Sequence, residues 1–291
     1  MSGPLVLKLG GELLETPADR ERIALLASAI AAVRPLVLVH GGGRAIDAEL
    51  DRRGITPRKV DGLRITDRAT LDVVVSVLAG LANTELVAAL VSAGVPAVGL
   101  TGVDAGLGRA TRTAAHRSMA GAIVDLGFVG DPAETDPSLL ELLLVHGYVP
   151  VVASLGISEA AHGAAETTVL NVNADVMACR IAAAMGDAEL VIAGGTAGVL
   201  DAQGESIALL DAAGIDAAIG SGTATAGMVA KLEACRTALL EGVANVRIVD
   251  GRHFDAQHGT DEAPGTTLVL TSGQGTNAAG TTQPAARGGQ Q

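Results

Sequence analysis

The sequence predicts an α/β fold in which a mainly parallel sheet is covered by helices. Short apolar runs of strand length alternate with longer stretches of helical patterning, as a sheet with crossover helices requires. The first two runs end in glycines and lead into helix-like sequence, the pattern of a strand, a tight turn and a returning helix. The 291 residues are 48% apolar but only 1% aromatic, so a sizeable core has to be assembled from Ala, Val, Leu and Ile.

Taken in order, the run 4–9 starts the sheet, and a helix is expected near 19–32. The run 35–40 follows, with a helix near 43–53. A long apolar helical pattern near 67–93 leads to a strand at 97–100. The segment 107–128 contains Gly and Arg and alternates weakly, which predicts a β-hairpin flap on one edge. A helix near 136–146 precedes a strand at 149–153. Residues 154–170 are small and polar and read as a loop between two α/β halves. The second half holds a helix near 173–186, a strand at 190–193, a helix near 226–242 and a strand at 245–249. The division is therefore an N-terminal lobe, 1–170, a C-terminal lobe, 171–270, and a tail, 271–291. The tail lacks the apolar residues that would offset its ordering entropy and is expected to be disordered.

Composition removes several functions. A net charge of −12 and a pI near 4.9 disfavour contact with a phosphate backbone, and scarce aromatics disfavour base stacking, so no nucleic-acid partner is expected. Cys179 and Cys235 stand in no metal-ligand spacing, so no metal site is expected and free thiols in a reducing, cytoplasmic compartment are. The first residues do not form a secretory signal. The apolar region 68–103 is interrupted by Asp72, Asn83, Glu85 and Pro96, and no membrane span is expected there.

The chemistry-bearing residues fall at strand ends and helix starts. Lys8-Leu9-Gly10-Gly11 ends the first strand and His40-Gly41-Gly42-Gly43 the second. Glycines there leave backbone N–H groups open to anionic oxygens, and helix N-termini add positive partial charge. Each turn alone is equally compatible with ordinary turn punctuation, but Lys8 beside the first is placed to reach a phosphate. Neither is a GxxxxGK[ST] phosphate loop. His40 reads as a strand-end packing residue. Asn171-Val172-Asn173-Ala174-Asp175 opens a helix, with Asn173 as its N-cap and Asp175 in its first turn. Gly227-Met228-Val229-Ala230-Lys231 begins another helix, placing Lys231 in a first turn whose dipole it opposes, unless it is simply solvated. Arg64 in Asp61-Gly62-Leu63-Arg64 is either a carboxylate clamp or a surface residue capping a loop.

The ordered series KLGG at 8–11, HGGG at 40–43, DGLRITD at 61–67, NVNAD at 171–175 and GMVAK at 227–231 resembles the amino acid kinase family, from about residue 4 to 270. The spelling of DGLR and NVNAD is most similar to the branch that phosphorylates the side-chain carboxylate of N-acetylglutamate in arginine biosynthesis. N-succinylglutamate, carrier-bound aminoadipate and a non-catalytic, small-molecule-binding role remain alternatives.

The resemblance implies a three-layer αβα sandwich, with the acylated amino acid and dimer contacts on the N-terminal lobe and ATP on the C-terminal lobe. It implies that Lys8 and Lys231 neutralise the phosphoryl group in flight, that Asp175 holds both lysines, and that Gly10, Gly11 and Gly42 contact phosphoryl oxygens. Gly42, Gly43, Arg64 and Asn171 would grip the acylated amino acid. Gly195, Gly198, Leu200, Thr223, Thr225, Gly227 and Met228 would face the nucleotide. ATP with Mg²⁺ held mainly by the nucleotide phosphates, small-molecule substrates and a homodimer are implied as well. A chain starting its first strand at about residue 4 is expected to lack the extra helix of arginine-inhibited relatives.

Two departures lie on the nucleotide side. The family commonly has Thr-Asp where this chain has Gly194-Gly195, and often Gly-Gly where it has Ala226-Gly227. A carboxylate nucleophile is already ionised at neutral pH, so such a site has to place cations and N–H groups rather than a general base.

Overall fold

Strand alternation sets the architecture, and the computed structural model describes it for residues 3–118, 120–158, 168–220, 226–254 and 263–270. In chain order the strands are β1 (Leu5–Leu9), β2 (Leu36–His40), β3 (Lys59–Val60), β4 (Leu63–Arg64), β5 (Ala97–Thr101) and β6 (Gly108–Arg112). Next come β7 (His116–Arg117), β8 (Ile123–Val124), β9 (Val129–Thr135), β10 (Val149–Ala153) and β11 (Leu155–Ser158). The last are β12 (Val169–Val172), β13 (Glu189–Gly194), β14 (Leu209–Leu210), β15 (Val246–Asp250) and β16 (Gly265–Leu268). The α-helices are α1 (Pro17–Ala31), α2 (Gly43–Arg52), α3 (Arg68–Val75), α4 (Asn83–Ser92), α5 (Ser138–Val145), α6 (Ala174–Ala184), α7 (Ala212–Gly220) and α8 (Ala226–Leu240).

The central sheet has eight strands in the order β14-β16-β15-β13-β1-β2-β10-β5, parallel except where β16 runs against β15. Leu5, Leu7 and Leu9 point into one core layer, which α1 and α4 close with Ile23, Leu26, Leu86 and Leu90. Val6, Val37, Val39 and Ile192 point into the opposite layer, closed by Met177 and Ile181 of α6 and Leu232 of α8. Helices on both faces of a parallel sheet give the expected three layers, and aliphatic side chains fill both.

All six expected sheet strands form within about two residues of the expected ends, and so do the helices. Helix α1 starts on a capping box between Thr16 and Asp19 with Pro17 behind it. The expected helix 67–93 is continuous from Arg68 to Ser92 but contains a π-helical segment, Ser76–Ala82. These 25 residues are long and apolar enough to cross a membrane by composition; here Leu71, Val74, Val77, Leu86 and Leu90 of the same helix are core residues.

Two expectations need correction. Residues 154–170 are not simply a loop: β11 and β12 pair antiparallel and join β6 and β9 in a small closed barrel, while 159–167 lie outside the described residues. These short, Gly-containing strands carry little periodicity, and their hydrogen-bond partners come from distant parts of the chain. The flap 107–128 is likewise divided, with β6 in the barrel and only β7 and β8 forming the outer hairpin. In the interval left between the first strand and the helix expected near 19–32, a single 3₁₀ turn, Gly11–Leu13, separates β1 from α1. The tail 271–291 lies outside the described residues.

Candidate active site

Lys8 shares strand parity with Val6, so its side chain enters the layer occupied by α6 and α8. Its Nζ lies 2.7 Å from Oδ1 of Asp175 in an ion pair. Asp175 is the second residue of α6. Asn173 caps that helix as expected, accepting the N–H groups of Asp175 at 2.8 Å and Val176 at 3.3 Å. Helix α8 runs across α6 and donates from Lys231 Nζ to Oδ2 of the same carboxylate at 2.6 Å. Helix α8 begins at Ala226, which places Lys231 in its second turn rather than its first.

All three charged groups are largely buried, with side chains 11 to 15% exposed. Burial works against the Asp175 charge, but the Lys8 and Lys231 ammoniums outweigh it and hold the carboxyl well below the usual carboxylate range. Burial equally opposes the Lys231 charge, and Asp175 reverses this, raising its pKa. Glu12 in the same cleft also favours the Lys231 charge, so the two ammoniums stand beside two carboxylates. One turn below, Cys179 and Cys235 are free, buried thiols between the two helices, and hydrogen bonding to Cys235 followed by burial raises Cys179 well above an ordinary thiol.

The glycine turns lie side by side because β1 and β2 pair in parallel with Leu9 opposite His40. A Cβ on Gly11 would lie 3.2 Å from Gly42 Cα, and one on Gly42 would lie 2.9 Å from Leu78 Cδ2 in the π-helical segment. Close backbone approach therefore favours glycine at position 11, while at position 42 an added Cβ would press on the end of the Leu78 side chain. The Gly10 N–H is already taken by Ala193 O at 2.8 Å. His40 is fully buried; its Nδ1–H donates to Gly41 O and its Nε2 accepts from Asn83, each at 3.0 Å. Burial pushes its pKa down to about 4, which leaves it neutral and structural.

Arg64 on β4 is not a surface residue: it is 8% exposed, and its Nη1 lies 2.6 Å from Asp47 Oδ1 on α2. Its Nη2 donates to Gly43 O at 3.1 Å, tying the β3–β4 hairpin to the second glycine turn. Lys59 Nζ meets the other oxygen of Asp47 at 2.6 Å. Asn171 on β12 donates to Thr66 Oγ1 at 3.2 Å. Lys8, Gly10, Gly11, Gly42, Gly43, Arg64, Asn171 and Asp175 all line one cleft of about 490 Å³.

Of the expected nucleotide-side residues, the described ones, Gly195, Gly198, Leu200, Gly227 and Met228, do not line that cleft. Gly195 lies beyond its wall, where its N–H donates to Glu12 Oε1 at 2.8 Å. Gly198, at φ +97°, packs against Thr266, and Leu200 is 46% exposed in a bridge with Ser206. Gly227 approaches Gly62, where an added Cβ would lie 3.7 Å from Gly227 Cα, and Met228 packs against the core. Thr223 and Thr225 lie outside the described residues.

Sequence reasoning did not single out Glu12, Asp47, Lys59 or Ser154, which join the cleft or its walls. An acidic residue directly after a glycine pair was the one available signal for Glu12. Asp47 reads as an exposed helical residue until the hairpin folds over it.

Comparison with known proteins identifies the family. The model of the amino acid kinase family matches residues 3–250. An acetylglutamate kinase from Symbiobacterium thermophilum is 40% identical over 275 residues, 91% of this chain and 91% of that protein. One from Methanopyrus kandleri is 42% identical over 240 residues, covering 81% and 91%. Among solved structures, the N-acetylglutamate synthase of Neisseria gonorrhoeae superposes with a TM-score of 0.76 at 23% identity over 93% of this chain, which spans 60% of the synthase and shares its fold there. With a family match running from the first strand to the end of β15, and with relatives aligned over most of both lengths, the chain belongs to the amino acid kinase family.

Proposed function

We propose that this chain transfers the γ-phosphoryl group of ATP to the side-chain carboxylate of N-acetyl-L-glutamate, forming N-acetyl-L-glutamyl 5-phosphate, the second step of arginine biosynthesis. The observation that carries this reading is the pair of lysines on opposite oxygens of Asp175, beside two closely packed glycine turns. In-line transfer between two anions is limited by charge and position, and this arrangement addresses both. Lys8 and Lys231 would face the phosphoryl oxygens, with Asp175 fixing their separation. Gly11 and Gly42 would let the group approach the backbone. No side chain has to act as a base, since the acceptor carboxylate is ionised at neutral pH.

In this reading the acylated amino acid lies against Gly42, Gly43, Arg64 and Asn171 on the N-terminal lobe, and the nucleotide lies beyond Lys231 on the C-terminal lobe. Arg64 suits an α-carboxylate because its fork is already oriented by Asp47 and Gly43 O. Among the described residues no cluster of three or more His, Cys, Asp or Glu side chains could hold a metal. In this reading Mg²⁺ is held mainly by the nucleotide phosphates and lowers their charge. The same reading makes the chain a cytoplasmic homodimer; in its support are the free thiols and the exposed Leu81 and Val91 on the Arg68–Ser92 helix.

The test is MgATP-dependent acyl phosphate formation, trapped as the hydroxamate, with N-acetylglutamate, glutamate and N-succinylglutamate compared. A signal confined to N-acetylglutamate is the expected result. A succinyl preference moves the acyl group, and no signal with any of the three overturns the reading.

A further inference from the structure

The backbones leaving β1 and β13 separate just past the end of their ladder. Gly10 N–H to Ala193 O, at 2.8 Å, is the last main-chain bond between them. Beyond it one side chain spans the gap: Glu12, from the 3₁₀ turn after β1, accepts the Gly195 N–H on Oε1 at 2.8 Å. The carboxylate lies among glycines. A Cβ added to Gly10 would sit 2.5 Å from Glu12 Oε1, and one added to Gly194 would sit 3.2 Å from it. At Gly195 the added Cβ would be 3.6 Å from Glu12 Cγ and Oε1, ordinary van der Waals distance, so position 195 has room for a side chain, while one at position 10 would displace the Glu12 carboxylate. Glu12 also lines the cleft that holds Lys8 and Asp175.

We propose that Glu12 is a positioning residue for the nucleotide: it holds the Gly195 N–H and so fixes the segment 194–200 against the phosphoryl site, supplying from the first turn a carboxylate that position 195 itself does not provide. The proposal rests on the kinase reading above. Its physical content is a mutual exclusion. One carboxylate at this junction ties the two loops together. Two of them would share a space a few ångströms across and repel each other.

The experiment uses the full chain and four variants: Glu12→Gln, Glu12→Ala, Gly195→Asp and the double variant Glu12→Ala/Gly195→Asp. The readouts are kcat, the KM values for MgATP and N-acetylglutamate, and the equilibrium Kd for MgADP. Glu12→Ala is expected to raise both the MgATP KM and the MgADP Kd about tenfold, the size of one lost charged hydrogen bond, with the N-acetylglutamate KM unchanged. Glu12→Gln keeps an acceptor oxygen and should recover most of that loss. Gly195→Asp alone should weaken nucleotide binding at least as much, while in the double variant it should restore binding towards wild type. A wild-type MgADP Kd in Glu12→Ala, or single effects that simply multiply in the double variant, overturns the proposal. Wild-type protein that binds MgADP but gives no acyl phosphate fails the kinase reading instead, and the MgADP arm still decides the role of Glu12.

Discussion

Lys231 and Asp175, 56 residues apart in sequence, meet at 2.6 Å and thereby join α8 to the first turn of α6. The contact fixes the second cation of the site relative to Lys8 on β1, because both lysines refer to one carboxylate. A site that stabilises developing charge depends on such placement being complete before substrate arrives.

Removing either member should therefore abolish turnover by disordering charge. Lys231→Ala and Asp175→Asn are each expected to lower kcat by at least about a hundredfold. Circular dichroism should still show a folded chain. Asp175→Asn should also lower the melting temperature, since it leaves two buried ammoniums without their counter-ion. Turnover retained in both variants would exclude the trio from catalysis.

Arg64 has two separable functions, one in the fold and one in binding. Its bonds to Asp47 and Gly43 O hold the hairpin, so Arg64→Ala should lower stability by about 1–3 kcal/mol, measured by urea denaturation. The same change should raise the N-acetylglutamate KM by about tenfold or more, with a smaller effect on the MgATP KM. An unchanged N-acetylglutamate KM would leave Arg64 a structural residue only.

His40 should make the fold sensitive to mild acid. Its pKa is lowered from 6.5 to about 4 by burial, so between those values the unfolded chain binds a proton that the folded chain does not. Its stabilising contribution is complete above about pH 6.5 and falls as pH drops towards 4, by about 3 kcal/mol in full. Asp175 behaves differently, its depressed pKa keeping its contribution intact until pH falls below the usual carboxylate range. Melting temperature measured from pH 7 to 5 should decline in the wild type, and the decline should flatten in His40→Gln. Parallel curves would exclude His40 as the origin.

Gly11→Ala tests the packing of the two turns. Its Cβ would lie 3.2 Å from Gly42 Cα and 3.4 Å from Gly43 N, backbone atoms that cannot rotate away. Separating the turns by a few tenths of an ångström should cut kcat about tenfold or more while changing the melting temperature little. Gly80→Ala, with no atom within 4 Å of the added Cβ and no place in the cleft, is the control for steric cost.

The sequence alone determined the layered sheet and the order of its main elements, and it singled out Lys8, Asp175 and Lys231, which the structure brings together. Apolar periodicity is a local property, and so are a glycine pair after a strand and an Asn ahead of a helix. Strand parity even fixes the face on which Lys8 emerges. Tertiary structure decided the rest. The β6-β9-β12-β11 barrel draws its hydrogen bonds from segments tens of residues apart and has no strong pattern to announce it. Asp47 becomes the anchor of Arg64 only when the β3–β4 hairpin folds onto α2, and Glu12 reaches Gly195 across 183 residues of chain. A local pattern specifies which face of an element is buried; the partner it finds there is settled only when the elements pack, because that contact exists in no segment by itself.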